Sequence, residues 1–244
     1  MMASSIKQIN VGRPDIQVYV DFGNIPADKK ICEEVIRFAD INATPMSGVP
    51  PAGRWSIAQH VSYPKRTYHH LIAEMLAHIE QQCPEIGVLP YDDSIRASYP
   101  VATAPRMSEY AGYVLMPSQG VLKTSAHKEW DGLYDLARLL RAKREIIHQV
   151  ALNGDTPLKW AARQYYQLNL MQLIGLIRDS KYVVSLENGL SHLAGHMKHR
   201  CYTLYRHAYT QPWHTRYEGQ VPVIDEVLSP ERMVEIIEKD SVLW

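Results

Sequence analysis

The segment Tyr182–Tyr205, YVVSLENGLSHLAGHMKHRCYTLY, decides how this chain folds. Tyr182–Leu186 is a short apolar run with two adjacent valines, the composition of a strand buried on both faces. Glu187-Asn188-Gly189 ends the run, and Gly189–Met197 carries apolar residues at helical spacing. Tyr202–Tyr205 is apolar again. Strand, tight turn, helix and strand in immediate succession form a crossover unit, and a crossover of this kind joins parallel strands.

The same alternation extends outward from this segment. Ser229-Pro230 supplies an N-cap and a first-turn proline for a last helix. Upstream, Asn169 caps a helix through Arg178, with Leu170, Leu173, Ile174 and Ile177 on one stripe. Ile146–Leu152 reads as a strand ending at Asn153-Gly154-Asp155. Trp130, Leu133, Tyr134, Ala137 and Leu140 stripe a helix over 128–144, and Tyr113–Met116 is a strand before a Pro-Ser-Gln-Gly loop.

The first part of the chain is less regular. Residues 1–14 read as a polar lead-in, Ile16–Phe22 as a buried strand, and Asp28 caps a helix to about Ala39. Prolines and glycines make 42–64 a loop. A second helix covers Arg66–Gln82, a short strand Ile86–Leu89, and 90–110 is an irregular link. The expected class is α/β, with parallel sheets covered by helices on both faces. The expected halves are 1–110 and 111–244.

Composition excludes several functions. Lys plus Arg and Asp plus Glu both number 26, so neither a wholly basic nucleic-acid coat nor an acidic disordered tail fits. There is no run of about 18 apolar residues. The opening MMASSIKQINVGRP has no apolar segment of the secretory type. Cys32, Cys83 and Cys201 are odd in number and widely spaced, and read as small buried hydrophobes of a reduced, cytoplasmic chain. The zero net charge is unevenly spread. Residues 1–110 carry 10 basic and 12 acidic side chains, and 111–244 carry 16 and 14. Lys181, Lys198, Arg200, Arg206 and Arg216 face a single acid, Glu187, within 181–217, with Tyr202, Tyr205, Tyr209, Trp213 and Tyr217 among them.

In open parallel sheets, ligands bind beyond the carboxyl ends of the strands. Four such ends fall at Pro117–Gly120, Asn153–Asp155, Glu187–His192 and Arg206–His207. At Glu187–His192 a helix starts directly after the strand, so its first N–H groups suit a phosphate, and Ser191 and His192 add side-chain donors. The same spacing also describes an ordinary strand-to-helix turn with a hydrogen-bonded histidine. His60, His69 and His70 lack a metal-ligand spacing.

Gly189-Leu190-Ser191-His192-Leu193-Ala194, with the strands on either side, resembles the C-terminal signature of heptosyltransferase-like glycosyltransferases, family nine, which read ADLVVSVDTGLSHLAAALGVPVVALFGPT. The helix LMQLIGLIRDSKY and the stretch YVLMPSQGVLKTSAHKEWDGLYDLARLL are also similar to the family, with Lys128 and Trp130 on its pattern, so the likeness spans roughly 112–240. It implies a GT-B architecture of two Rossmann-like halves, here with an abbreviated N-terminal half. It further implies inverting transfer of a sugar from a nucleotide-sugar to an acceptor hydroxyl of a glycan or lipid-linked saccharide, without a metal or other cofactor. By this resemblance Lys128 neutralises the leaving diphosphate. Asn188, Gly189, Leu190 and Ser191 bind it, His192 supports them, Glu187 takes the place of an aspartate, and Ser118 and Gln119 line the same crevice.

The sequence departs from that pattern in three places. Glu187-Asn188 replaces Asp-Thr or Asp-Ser, Tyr205-Arg206-His207 replaces Phe-Gly-Pro, and the opening R-x-G-x-x-G-D loop is missing. Arg206, at a strand end, is therefore read as a donor-binding residue from its own position. Asp21, closing the first strand, is the expected general base, ahead of Asp92 and Asp93. Two other readings stay open: transfer to hydroxymethylated bases of DNA, served by the basic aromatic stretch, and a non-catalytic nucleotide- or sugar-binding module.

Overall fold

A computed structural model describes residues 2–21, 33–46, 71–87, 91–92, 94–117, 130–151, 157–205, 217–224 and 228–241. The chain divides into two compact units, Met1–Pro100 and Val101–Trp244. The segment 101–110, read as a link, packs within the second unit. Arg178 Nη1 donates to the carbonyls of Val101 (3.2 Å) and Ala104 (2.6 Å), and Tyr165 donates to Met107 O (2.8 Å).

The first unit holds a two-stranded parallel sheet of β1 (Val18–Asp21) and β2 (Ala43–Met46), with helices α1 (Met2–Gly12), α2 (33–38) and α3 (Leu71–Gln82). Three readings are corrected here. The lead-in is a helix whose Ile9 packs on Ile72 and Leu76 of α3. Its Ser4, Ser5 and Gln8 are buried and look like surface residues only in the sequence. Gln8 bonds the N–H and carbonyl of Asp92, and Ser4 Oγ accepts from Ala97 N–H. Residues 43–46 form a strand despite Pro45, and β2 pairs with β1 alone among the described residues, so the missing N–H sits on an edge strand. Pro84–Ile86 is a 3₁₀ turn, not the start of a strand.

The second unit is built on a six-stranded, wholly parallel sheet. Its strands are β3 (Val114–Pro117), β4 (Ile147–Ala151), β5 (Arg163–Tyr166), β6 (Tyr182–Leu186), β7 (Cys201–Tyr205) and β8 (Gln220–Ile224). They lie in the order β5-β4-β3-β6-β7-β8. Counted from β3, this is 3-2-1-4-5-6, the doubly wound Rossmann-like order. β3 and β6 are neighbours, and from that pair the chain winds outward in opposite directions. The sequence reading did not include β5 and β8, which carry exposed and partly exposed residues and lie at the sheet edges.

Among the described residues four helices cover this sheet: α4 (Leu133–Ala142), α5 (Leu170–Asp179), α6 (Gly189–His196) and α7 (Pro230–Ser241). Leu133, Leu136 and Leu140 of α4 join Met233, Val234 and Ile237 of α7 over Val114, Met116, Val184 and Leu204. Each leucine buried there contributes about 1.5–3 kcal/mol. α5 lies against the opposite face, where Tyr113 donates its hydroxyl proton to Leu176 O at 2.7 Å. The expected caps are present: Asn169 forms a reciprocal capping box with Gln172, and Ser229 Oγ accepts from Arg232 N–H.

Candidate functional site

The strand order sets the carboxyl ends of β3 and β6 side by side, at the point where the winding reverses and where open α/β sheets bind ligands. β6 ends at Leu186 and α6 begins at Gly189, so Glu187 and Asn188 form the entire connection. The short link follows from chemistry. Asn188 adopts an extended backbone, and its side-chain oxygen caps the helix.

That cap accepts three donors. Asn188 Oδ1 lies 2.9 Å from Leu190 N, 3.3 Å from Ser191 N and 3.0 Å from Ser185 Oγ. Ser191 Oγ accepts in return from Asn188 N–H at 3.2 Å. The first-turn N–H groups of Leu190 and Ser191 thus serve the cap, and the Gly189 N–H stands outside the box. A Cβ built at Gly189 meets nothing within 4 Å, so an approaching group has room there.

Glu187 is only 8% exposed, and its Oε1 sits 3.4 Å from His192 Nε2. A buried carboxylate needs a polar partner, and this imidazole is one turn along the adjoining helix. The turn is braced from β8. Gln220 Nε2 donates to Ser191 O at 2.7 Å, and Tyr217 lies edge-on to His192 with ring centres 6.2 Å apart. Gly195 is required where α6 meets Tyr217, since a Cβ there would sit 2.5 Å from the ring. Ser185 and Gln220 were not singled out in the sequence, and Tyr217 was read only as part of the basic aromatic stretch, because their link to the turn is tertiary. Chemically the turn combines a helix N-terminus, an open glycine and an acid–imidazole pair, which suits polar recognition of a phosphorylated or hydroxylated ligand.

Glu187, Asn188, Gly189, Leu190, Ser191 and His192 are brought together in this turn. Asp21 closes β1 in the first unit. Ser118, Gln119, Lys128, Arg206 and His207 lie outside the described residues, as do Cys32, Asp93 and the cluster His60, His69 and His70. Cys83 and Cys201 are buried, and burial pushes the Cys201 thiol up to about 12. Among the described residues no three His, Cys, Asp or Glu side chains gather as metal ligands. No described helix is long and apolar enough to cross a membrane.

The basic window 181–217 needs correction. Lys181, Lys198 and Arg200 precede β6 and β7, so they sit at the amino ends of those strands, away from the Glu187–His192 turn. Each meets a carboxylate: Lys181–Glu145 at 2.5 Å, Lys198–Glu218 at 2.8 Å and Arg200–Asp240 at 2.5 Å. Tyr202, Tyr205 and Tyr217 are buried core rings, not an open stacking surface.

No protein-family model and no curated protein sequence matches the chain. Solved structures do. The E. coli heptosyltransferase WaaC, solved with ADP, superposes with a TM-score of 0.50 at 16% identity over 71% of this chain and 57% of its own. TibC of enterotoxigenic E. coli, described as a dodecameric iron-containing heptosyltransferase in complex with ADP-D-beta-D-heptose, gives 0.53 at 14% identity over 85% and 62%. The chain therefore spans about three-fifths of the length of these structures. Its fold is similar to that of the heptosyltransferases, α/β with parallel sheets in two units.

Proposed function

We propose that this chain is a glycosyltransferase whose second unit holds a nucleoside-diphosphate sugar against the Glu187–His192 turn, and which transfers the sugar with inversion to an acceptor hydroxyl. The observation that carries this reading is the position of that turn, at the reversal point of a Rossmann-like sheet. The likeness to structures solved with ADP and with an ADP-heptose supports a nucleotide-sugar donor.

In this mechanism the departing nucleoside diphosphate gains negative charge as the glycosidic bond breaks. Preorganised donors then stabilise the transition state more than the ground state. Gly189 N–H and His192 are the donors of the turn, and Glu187 accepts from sugar hydroxyls. Lys128, Ser118, Gln119 and Arg206 complete the donor set in this proposal, with Lys128 opposing the diphosphate charge. Asp21 takes the proton of the acceptor hydroxyl. The acceptor is a saccharide, and transfer proceeds without a metal.

The test is calorimetric titration of ADP, UDP and GDP, followed by assay with the matching nucleotide sugars. One nucleoside diphosphate is expected to bind, with Lys128→Ala and His192→Ala each weakening it at least tenfold. Asp21→Asn is expected to abolish transfer while keeping binding, and activity is expected to survive chelation. Binding without turnover on any acceptor would assign the chain to non-catalytic recognition. No binding by any nucleotide would overturn the proposal.

A further inference from the structure

The last strand of the sheet, β8, opens from a turn that ends against α6. Gln220 N–H donates to Tyr217 O at 3.2 Å, which closes Tyr217-Glu218-Gly219-Gln220 as a four-residue turn with glycine in third place. Gly219 has φ of +86°, and a Cβ there would lie 2.8 Å from Lys198 O, so the position takes glycine. Cys201 N–H donates to Gly219 O at 3.0 Å and ties the turn to the start of β7. The backbone of β7 therefore holds the turn, and its two end residues, Tyr217 and Gln220, both meet the helix that starts at Gly189.

They meet α6 at two levels, one helical turn apart. In the first turn, Gln220 Nε2 donates to Ser191 O at 2.7 Å. At Gly195, a Cβ would stand 2.5 Å from the Tyr217 ring and 2.9 Å from Gln220 Nε2, so the missing side chain is what lets the two residues close on the helix. Tyr217 is buried, edge-on to the His192 ring at 6.2 Å, and its hydroxyl lies 3.3 Å from His196 Nε2. One aromatic ring thus borders the imidazoles of two successive turns, including the one paired with Glu187.

Packing alone does not explain the amide at position 220. Gln220 Oε1 is buried with no hydrogen-bond partner among the described residues, whereas an apolar chain of that length would leave nothing unmatched. What the amide supplies is the bond to Ser191 O. Ser191 also closes the Asn188 capping box, so this bond fixes the turn from outside the helix. Helix ends fray, and a displacement of about 1 Å near the chemistry can cost about 10²-fold in rate.

We propose that Tyr217 and Gln220 are positioning residues for transfer: Gln220 sets where the first turn of α6 lies, and Tyr217 sets the His192 ring against Glu187. Both act through α6. The inference rests on the glycosyltransferase reading above and adds the residues through which its imidazole is aimed. His192 works there on charge that appears as the diphosphate departs, so loosening it costs the transition state more than the ground state.

The experiment is steady-state transfer with the nucleotide sugar that the parent uses, alongside thermal melts and hydrogen exchange over residues 186–195. In Gln220→Met, an apolar chain of like length, kcat is expected to fall at least tenfold while the donor KM moves less than threefold. Its midpoint is expected to stay level or rise, and exchange in the first turn of α6 to quicken at least tenfold, with β3 and β4 unchanged. Tyr217→Leu is expected to lower kcat likewise, and Tyr217→Phe, which keeps the ring, to stay within about twofold of the parent. Glu218→Gln, exposed in the same turn, is the control and should match the parent. Parent-like kcat in Gln220→Met or Tyr217→Leu, unchanged exchange in Gln220→Met, or an equal loss in Tyr217→Phe and Tyr217→Leu would overturn this inference alone. A parent that neither binds a nucleotide nor transfers a sugar would overturn the proposed function and this inference with it.

Discussion

The two ends of the six-stranded sheet use charge in opposite ways. At the amino ends of β4, β6 and β7 four cations are matched within the fold: Lys143 with Glu238, Lys181 with Glu145, Lys198 with Glu218 and Arg200 with Asp240. At the carboxyl end of β6 a buried carboxylate meets an imidazole, whose charge depends on protonation. Between them, inside the sheet, His148 is wholly buried in β4. It stacks on Tyr113 with ring centres 3.9 Å apart, and neither ring nitrogen has a hydrogen-bond partner among the described residues. Paired charge at one end stabilises the fold. The acid–imidazole pair at the other end is the one the proposed reaction uses.

The largest effect should come from removing the chemistry at the carboxyl end. Glu187→Gln and His192→Ala are each expected to lower transfer by about 10²–10³-fold, on the scale of a lost transition-state donor, with a thermal midpoint close to the parent. A large stability loss with unchanged transfer would make the two ends alike.

The buried histidines come next. Burial, aided by the Arg163 charge, holds His148 down at about 4, and burial alone holds His199 at about 4. In the unfolded chain both titrate near 6.5. Between those values the unfolded state binds more protons, so stability should fall as pH drops from 6.5 to 4 and stay flat above 6.5. The loss is up to about 3 kcal/mol for each ring. Thermal melts across that window check it, and His148→Phe should flatten the dependence and raise the midpoint at pH 5.

At the amino end, Asp240→Asn removes the partner of Arg200 and weakens the bond from the Tyr202 hydroxyl, which lies 2.8 Å from Asp240 Oδ2. With both side chains about one-fifth exposed, a cost of about 2 kcal/mol is expected in denaturant unfolding, with nucleotide affinity unaltered. Asn188→Ala, which removes the cap of α6, should cost about 1 kcal/mol and also weaken nucleotide binding, because it frees the turn. The smallest effect is expected from Lys198→Ala. That pair is more than two-thirds exposed on both sides, so its loss should fall within about 0.5 kcal/mol in the same unfolding measurement.

Much of the second unit was legible because its signals are local. The apolar run of β6, the Asn169 cap, the Ser229-Pro230 start and the leucine stripe of α4 all act within a few residues. Where the signal was not local, the reading failed. α1 hid its burial behind Ser4, Ser5 and Gln8, whose partners lie 70 to 93 residues away in the chain. β2 and β5 are four-residue strands with no alternation strong enough to announce them. The basic window looked like one patch because sequence distance concealed the length of a strand, roughly 17 Å for five residues.

By itself, the sequence determined that β6, its turn and α6 form in succession and that the surrounding elements alternate toward a parallel sheet. Periodicity and capping depend on neighbours in the chain, and those are written in it. Only the tertiary structure decided that β6 lies beside β3. That placement puts the Glu187–His192 turn at the point where the winding reverses, sends Lys181, Lys198 and Arg200 to the opposite end, and buries His148 and the Tyr182 hydroxyl. Strand order is a choice among long-range pairings, and it is decided by which faces can bury one another, a property of the assembled sheet.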